Sequence, residues 1–169
     1  MPRVRIRAFT LIEVLLIVLL LAVTAALAAP MFSGDDATKL RAAAQVLIAD
    51  LAFAQMESIA HGDDPRVVVF DTVNHGYYIA AESDDETPIT NPVGNLPYQV
   101  RFGQGAAANW AGVTISTLEL DDEDDILGFG IYGQLDQPDP AAITLSCNSS
   151  TITITLDPVT GEASVGEVQ

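Results

Sequence analysis

Most of the side chains in this sequence that could do chemistry are carboxylates, and one of them has unusual surroundings. Glu13 lies inside an apolar segment that runs from Phe9 to Phe32. A carboxylate at the centre of a membrane helix costs roughly 2.5 to 3.5 kcal/mol, so an acid in such a segment is a candidate functional residue, with a side chain that reaches back to the headgroups as the alternative. The chemistry it offers is pairing with a positive charge, since a buried charge is tolerated when it has a partner.

A second set of carboxylates crowds the segment between Glu119 and Asp125. Loops rich in oxygen ligands suit Ca²⁺, and the candidate ligands are Asp121, Asp122, Asp124 and Asp125. The regular calcium loop has alternating ligands and a central glycine, and this segment has neither. A solvated charged loop is therefore the favoured interpretation, with a calcium site as the alternative.

The remaining reactive residue types give no pattern typical of an enzyme. His61 and His75 stand apart, and neither has a second histidine or a cysteine at metal-ligand spacing. Cys147 is the only cysteine, so we expect a small buried side chain and no disulfide within the chain. Since the sequence also lacks a nucleophile elbow and a phosphate-binding loop, we predict no enzymatic activity and no bound cofactor.

The charge balance narrows the class of partner. The 169 residues carry 23 acidic against 7 basic side chains, a net charge of −16, and Arg3, Arg5 and Arg7 all precede the apolar segment. Nucleic-acid affinity depends mainly on lysine and arginine replacing counterions, so DNA and RNA are not expected partners. The length allows one domain in addition to an N-terminal anchor.

Three interpretations fit the N-terminal segment. A secretory signal peptide would use the three arginines, the apolar run and Ala26-Leu27-Ala28 as its cleavage site. A simple membrane anchor is also feasible, because Val14–Phe32 supplies 19 nearly apolar residues and about 20 cross a bilayer. Its basic flank would leave the N-terminus in the cytoplasm and the rest outside. Neither of these interpretations has a use for Glu13.

The third interpretation accounts for the whole stretch. The basic leader, Ala8 and the run Phe-Thr-Leu-Ile-Glu from Phe9 to Glu13 resemble the start of the type IV pilin and pseudopilin class. Ala8 departs from the glycine that is usual there. The resemblance implies that a prepilin peptidase cuts between Ala8 and Phe9 and methylates the new amine of Phe9. It also implies that Glu13 of one subunit meets the Phe9 amine of a neighbour and fixes the register of assembly.

The rest of the chain reads as a helix followed by strands. We predict a leader over residues 1–8, a transmembrane helix over 9–32, an amphipathic helix over 33–62 and an antiparallel β-sheet domain over 63–169. A kink is expected near Pro30 and Ser33-Gly34. The expected strands are 66–70, 76–81, 98–102, 113–120, 126–132, 142–147, 151–156 and 163–168. This α+β order is also the one that a pilin-like fold implies.

The C-terminal strands resemble those that close the GspH/FimT family of minor pseudopilins, with an aromatic and glycine-rich strand over 128–134 ahead of a hairpin. The resemblance implies a structural subunit of the type II secretion pseudopilus, or of a type IV pilus. Such a subunit spans the inner membrane once, has an extracytoplasmic C-terminal domain, and contacts other pilin subunits and secreted cargo. The alternative is an exported acidic binding domain released by signal peptidase, with calcium as its possible ligand.

Overall fold

The computed structural model describes residues 11–32, 34–121 and 124–169, with side chains described outside 25–35. The chain divides between Asp35 and Asp36 into an N-terminal unit and a C-terminal unit. The N-terminal unit contains helix α1, Leu11–Phe32, which continues through Pro30. The predicted break after α1 falls on Ser33, which lies outside the described residues.

Helix α2 spans Gly34–Ala60 and presents one narrow apolar face to the core. Its buried side chains recur every three or four residues, which is the spacing of one helix face. They are Leu40, Ala43, Ala44, Leu47, Leu51, Ala54 and Ser58. Because three of these seven are alanines, the helix backbone can lie close to the strands it covers.

The strands follow α2 in the C-terminal unit. They are β1 Arg66–Asp71, β2 Gly76–Ala81, β3 Asp84–Pro88, β4 Gln99–Arg101, β5 Val113–Glu119, β6 Ile126–Gly128, β7 Ala141–Cys147, β8 Ser150–Leu156 and β9 Ala163–Val165. A 3₁₀ helix, Gly105–Trp110, lies between β4 and β5.

These strands form two antiparallel sheets and not one. The first has the order β3-β2-β1-β6, and β4 pairs with β2 on the same side as β3. The second has the order β5-β7-β8-β9. Its edge strand β5 contains a bulge: Ile115 faces Leu145 and Thr117 faces Thr144, so Ser116 has no opposite residue. Single-sequence periodicity indicates strands but not which strands pair, which is why one sheet was expected.

A single core joins α2 to both sheets. It includes Leu47 of the helix, Ile79 of the first sheet and Ile143 of the second, all with no exposed surface. The predicted alternation in β8 is confirmed, since Ile152, Ile154 and Leu156 are buried while the threonines between them are not.

The expected strands and the observed ones differ in three places. Strand β6 ends at Gly128 and not at 132, because Gly130 starts a turn in which its N–H donates to the Gln134 carbonyl. Strand β9 ends at Val165, although Gly166 and Gln169 still hydrogen-bond to β8. The acidic strand β3 was not expected at all, because aspartate and glutamate are depleted in strands. It pairs with β2 as an exposed edge, where charged side chains are well tolerated.

Candidate assembly site

The first candidate site is the surface of α1. All the described side chains from Leu11 to Thr24 are exposed, including Leu11 at 84% and Leu21 at 63%. An α-helix that is apolar on every side is stable where its surface is covered by protein or lipid. In the described part of the chain, no helix is both long and apolar enough to cross a membrane.

Two polar side chains of α1 are described. Glu13 lies exposed in the first turn, where the helix dipole favours a negative charge. Thr24 donates its hydroxyl to the carbonyls of Leu20 and Leu21, at 3.0 Å each, so its polar group is satisfied within the helix. Ala8 and Phe9, the predicted cleavage and methylation residues, lie outside the described residues, and their role with Glu13 remains a prediction.

The C-terminal unit contains a hydrogen-bonded cluster that the sequence did not predict. The carboxylate of Asp50 on α2 accepts a 2.6 Å bond from the Tyr77 hydroxyl and a 2.9 Å bond from the Tyr98 hydroxyl. Phe53, one turn later on α2, stacks on the Tyr98 ring with 5.0 Å between centroids. The cluster fastens the middle of α2 to β2 and to the residue that precedes β4.

Burial controls the ionisation of this cluster. Loss of solvent raises the pKa of Asp50 above 3.8, and its bonds from Tyr77 and Tyr98 oppose that shift. Burial likewise raises the pKa of Tyr77, and the nearby Asp50 carboxylate adds to the effect. The pKa of Tyr98 is raised for the same two reasons. Both hydroxyls therefore remain protonated donors at neutral pH, which suits a structural role better than proton transfer.

A second contact holds the end of α2 to the loops of the C-terminal half. The Gln55 amide donates to the carbonyls of Gly133 and Thr160, at 2.7 Å each. These two carbonyls belong to loops on either side of strands β7 and β8. One helical side chain thus connects α2 with two loops that lie 78 and 105 residues further along the chain.

The start of the C-terminal unit is fixed in a similar way. Asn148, in the turn between β7 and β8, donates a 2.8 Å bond to Asp36, and the Cys147 thiol lies 3.5 Å from the same carboxylate. The Asn148 bond is the main reason that the pKa of Asp36 lies below 3.8. Cys147 is buried in β7, as the sequence predicted for a small apolar side chain.

The calcium candidates are partly brought together. Asp121 and Asp124 line a cavity of about 60 Å³ with Asp136 and Gln137, whereas Asp122 lies outside the described residues. Asp125 instead accepts a bond from Thr72. Within the described ranges, no group of three or more histidine, cysteine or acidic side chains is arranged to hold a metal ion. The solvated loop that the sequence favours and the calcium site kept as its alternative therefore both stay untested.

Comparisons with known proteins identify structures with a similar fold. No protein-family model matches the sequence, and no curated protein does. The structure of the minor pseudopilin EpsH from the type 2 secretion system of Vibrio cholerae is similar, with a TM-score of 0.56 at 15% identity. The match covers 76% of this chain and 97% of that one. The type IV minor pilin FimU of Pseudomonas aeruginosa gives a TM-score of 0.49 at 15% identity, over 78% of this chain and 87% of that one.

The similarity to EpsH agrees with the fold that the sequence resemblance implied, an N-terminal helix followed by antiparallel strands. At 15% sequence identity, this similarity supports a shared fold only. Judged by its structure, this chain has the α+β fold of the pilin and pseudopilin class.

Proposed function

We propose that this chain is a minor pseudopilin, a structural subunit that joins a helical fibre through α1. The observation that carries the proposal is an exposed apolar helix with one carboxylate in its first turn, placed ahead of a pilin-like C-terminal unit. An exported binding domain would need such a helix only until signal-peptide cleavage. A fibre subunit keeps it, since helix packing covers the apolar surface when subunits assemble.

Glu13 has a specific role in this proposal. Cleavage between Ala8 and Phe9 would create a positive amine at the head of the helix. Packed among apolar helices, that amine needs a negative partner, and the Glu13 carboxylate of an adjoining subunit supplies it. A single polar pair in an apolar interface also fixes axial register, as one buried polar residue does in coiled coils.

The charge balance favours the type II secretion apparatus over a pilus that takes up DNA. After the leader the chain has four basic side chains, Lys39, Arg41, Arg66 and Arg101, against 23 acidic ones. A subunit that handles DNA needs a basic face, whereas a type II secretion pseudopilin does not. We therefore place the subunit in the secretion apparatus, anchored once in the inner membrane until assembly, with its C-terminal unit outside the cytoplasm. Other minor subunits, the prepilin peptidase and secreted cargo are its expected partners.

The N-terminal residue of the mature protein tests the processing step. Mass spectrometry of the native protein should find N-methylated phenylalanine, Phe9, as its first residue. A mature chain that begins at Ala29 would instead indicate signal-peptidase cleavage after Ala28. That result would overturn the fibre proposal and support an exported binding domain.

A variant pair tests Glu13. Glu13→Gln should lower incorporation into sheared fibres by about tenfold or more, because it leaves the neighbour's amine without a counter-charge. Thr24→Val is the matched control: it removes the other described polar group of α1, whose hydroxyl bonds within the helix. It should incorporate as the wild type does. Equal incorporation of Glu13→Gln and wild type would remove the role assigned to the carboxylate.

A further inference from the structure

A groove in the C-terminal unit has the shape and chemistry of a small binding site. It has a volume of about 340 Å³ and lies between α2, β4 and the 3₁₀ helix. Its apolar walls are Val46 of α2, Val100 of β4, and Ala106, Ala107 and Trp110 of the 3₁₀ helix. Trp110 and Phe102 pack edge to face, with 6.4 Å between ring centroids, which fixes one wall in place. A space of this size accommodates one aliphatic side chain.

Strand β4 exposes backbone groups along this groove. In its pairing with β2, Phe102 donates to His75 and Ile79 donates to Tyr98. Antiparallel pairs alternate between bonded and non-bonded positions, so Val100 also bonds to β2. Gln99 and Arg101 are the non-bonded positions, and their N–H and C=O groups point away from the sheet.

Two of those four outward groups are already occupied. The N–H of Gln99 donates to Pro97, and the carbonyl of Arg101 accepts from Gln104 in the turn that ends the strand. The Gln99 carbonyl and the Arg101 N–H have no hydrogen-bond partner among the described residues. The Gln99 carbonyl and the Arg101 N–H lie on either side of Val100. In a parallel pair, one residue of the added strand donates its N–H to the Gln99 carbonyl and accepts the Arg101 N–H with its own carbonyl.

The rim of the groove carries the Arg101 guanidinium, whose charge also helps to lower the pKa of the nearby Asp71 carboxyl. Arg101 is exposed, and its guanidinium lies 3.2 Å from the Gln99 side-chain oxygen when that amide is oriented to accept. Arginine favours planar anions such as carboxylates, to which it can donate two parallel bonds. Because the turn at Gln104 closes the strand just after Arg101, an added strand has nothing to pair with beyond that point. A ligand that ends there fits best.

We propose that this groove binds the free C-terminus of another protein whose last residue is aliphatic. The last residue donates its N–H to Gln99. Its carboxylate accepts from the Arg101 N–H and guanidinium, and its side chain enters the space beside Val46 and Trp110. The contact is small, so we expect a Kd on the order of 10⁻⁴ to 10⁻³ M for a free peptide.

The partner is a different protein and not a second copy. At this groove a second copy is disfavoured, because the chain after the leader carries 23 acidic against 4 basic side chains and two such acidic units repel each other.

The test uses the full chain in nanodiscs, so that no free detergent competes for an apolar groove. Trp110 is the only tryptophan, so its fluorescence reports the groove directly. The probe is acetyl-Lys-Thr-Ser-Leu with a free carboxylate, which has no net charge. Its C-terminal amide is the control and carries one positive charge, which the acidic protein attracts. We expect saturable binding of the acid and about tenfold weaker binding of the amide, because a charge-assisted bond is lost.

Protein variants complete the test. Arg101→Gln should weaken binding of the acid by about tenfold, and Val46→Phe should weaken it by filling the groove. Arg41→Gln removes an exposed basic residue of α2 that does not line the groove, and should leave binding unchanged. The proposal is overturned if the amide binds as tightly as the acid, if Arg41→Gln is as harmful as Arg101→Gln, or if no saturation occurs below about 5 mM. The acid and the amide peptide are compared on the wild-type protein, so the difference between their affinities does not depend on whether any variant folds.

Discussion

The Tyr77 hydroxyl donates a 2.6 Å hydrogen bond to the Asp50 carboxylate, across 27 residues of sequence. Tyr77 is 1% exposed and Asp50 is half-buried, so the bond lies at the border between the core and the surface of α2. It joins the helix to β2, which pairs with three other strands of the first sheet. The bond thereby links the helix to the centre of that sheet.

Asp50 makes stability depend on pH in a direction unusual for an aspartate. Burial raises its pKa in the folded state, so the folded chain holds a proton that the unfolded chain releases near 3.8. Its contribution is fully present below that value and is lost as pH rises through the raised pKa. The difference in unfolding free energy between the wild type and Asp50→Asn should therefore shift in favour of the variant as pH rises.

The measurement is urea denaturation of both proteins at a series of pH values from about 3 to 7. Several other carboxyls have a lowered pKa, so their contribution to stability grows as pH rises. Subtracting the unfolding free energies of the two proteins removes this shared contribution. A difference that does not change across this range would contradict the role given to Asp50.

Gln55 should contribute more to stability than Gln45, an exposed glutamine on the same helix. Gln55→Ala leaves the carbonyls of Gly133 and Thr160 without their 2.7 Å donor, so we expect a loss of about 1 to 3 kcal/mol in unfolding free energy. Gln45→Ala makes the same chemical change at an exposed position and should cost less than about 0.5 kcal/mol. Equal losses in guanidinium denaturation would show that the two-loop contact does not stabilise the fold.

Glycine at position 161 is required by space as well as by backbone conformation. Gly161 has a φ of +67°, and a Cβ there would overlap the Gly133 carbonyl oxygen and the Gln55 amide. Gly105 has a φ of +53° with open space around it, so it provides the control for backbone strain alone. Gly161→Ala should lower stability by about 1 to 3 kcal/mol more than Gly105→Ala does. Equal melting temperatures for the two variants would contradict the close approach.

Asn148 offers a charge test at the start of the C-terminal unit. Asn148→Asp replaces the donor to Asp36 with a second carboxylate, so the variant should be less stable than wild type at neutral pH. The deficit should shrink as acid protonates the pair. Asn148→Gly is the control, because it also removes the bond but keeps the φ of +54° accessible. Its deficit should vary less with pH, and parallel pH profiles for the two variants would exclude repulsion as the cause.

The parts of the fold that depend on local periodicity were predictable. The three- and four-residue spacing of α2 and the alternation in β8 each report one buried face, and both faces are buried in the structure. Strand β3 was not predictable, because Asp84 and Asp85 have low strand propensity and the strand pairs with β2 through Asp84 and Pro88. Its hydrogen bonds depend on a neighbour in space, which a single sequence does not record.

The same limit applies to the candidate sites. The Phe-Thr-Leu-Ile-Glu motif is contiguous, so the sequence alone directs attention to Glu13. The Asp50 cluster and the groove at Arg101 join residues that are far apart in the chain and become visible in three dimensions. One signal was present for Asp50: it lies three residues after Leu47 and four before Ala54, so an acid occupies a position on the apolar stripe.

The bulge at Ser116 affects the tendency of this protein to aggregate at high concentration. Strand β5 is an edge strand of its sheet. Without the bulge, its backbone donors and acceptors would be free to pair with a strand of another molecule. Ser116 interrupts the row of these groups, and its hydroxyl turns back to the Thr144 carbonyl. Irregular rims of this kind discourage uncontrolled sheet-to-sheet growth. The bulge therefore makes this edge a poor template for amyloid-like strand addition.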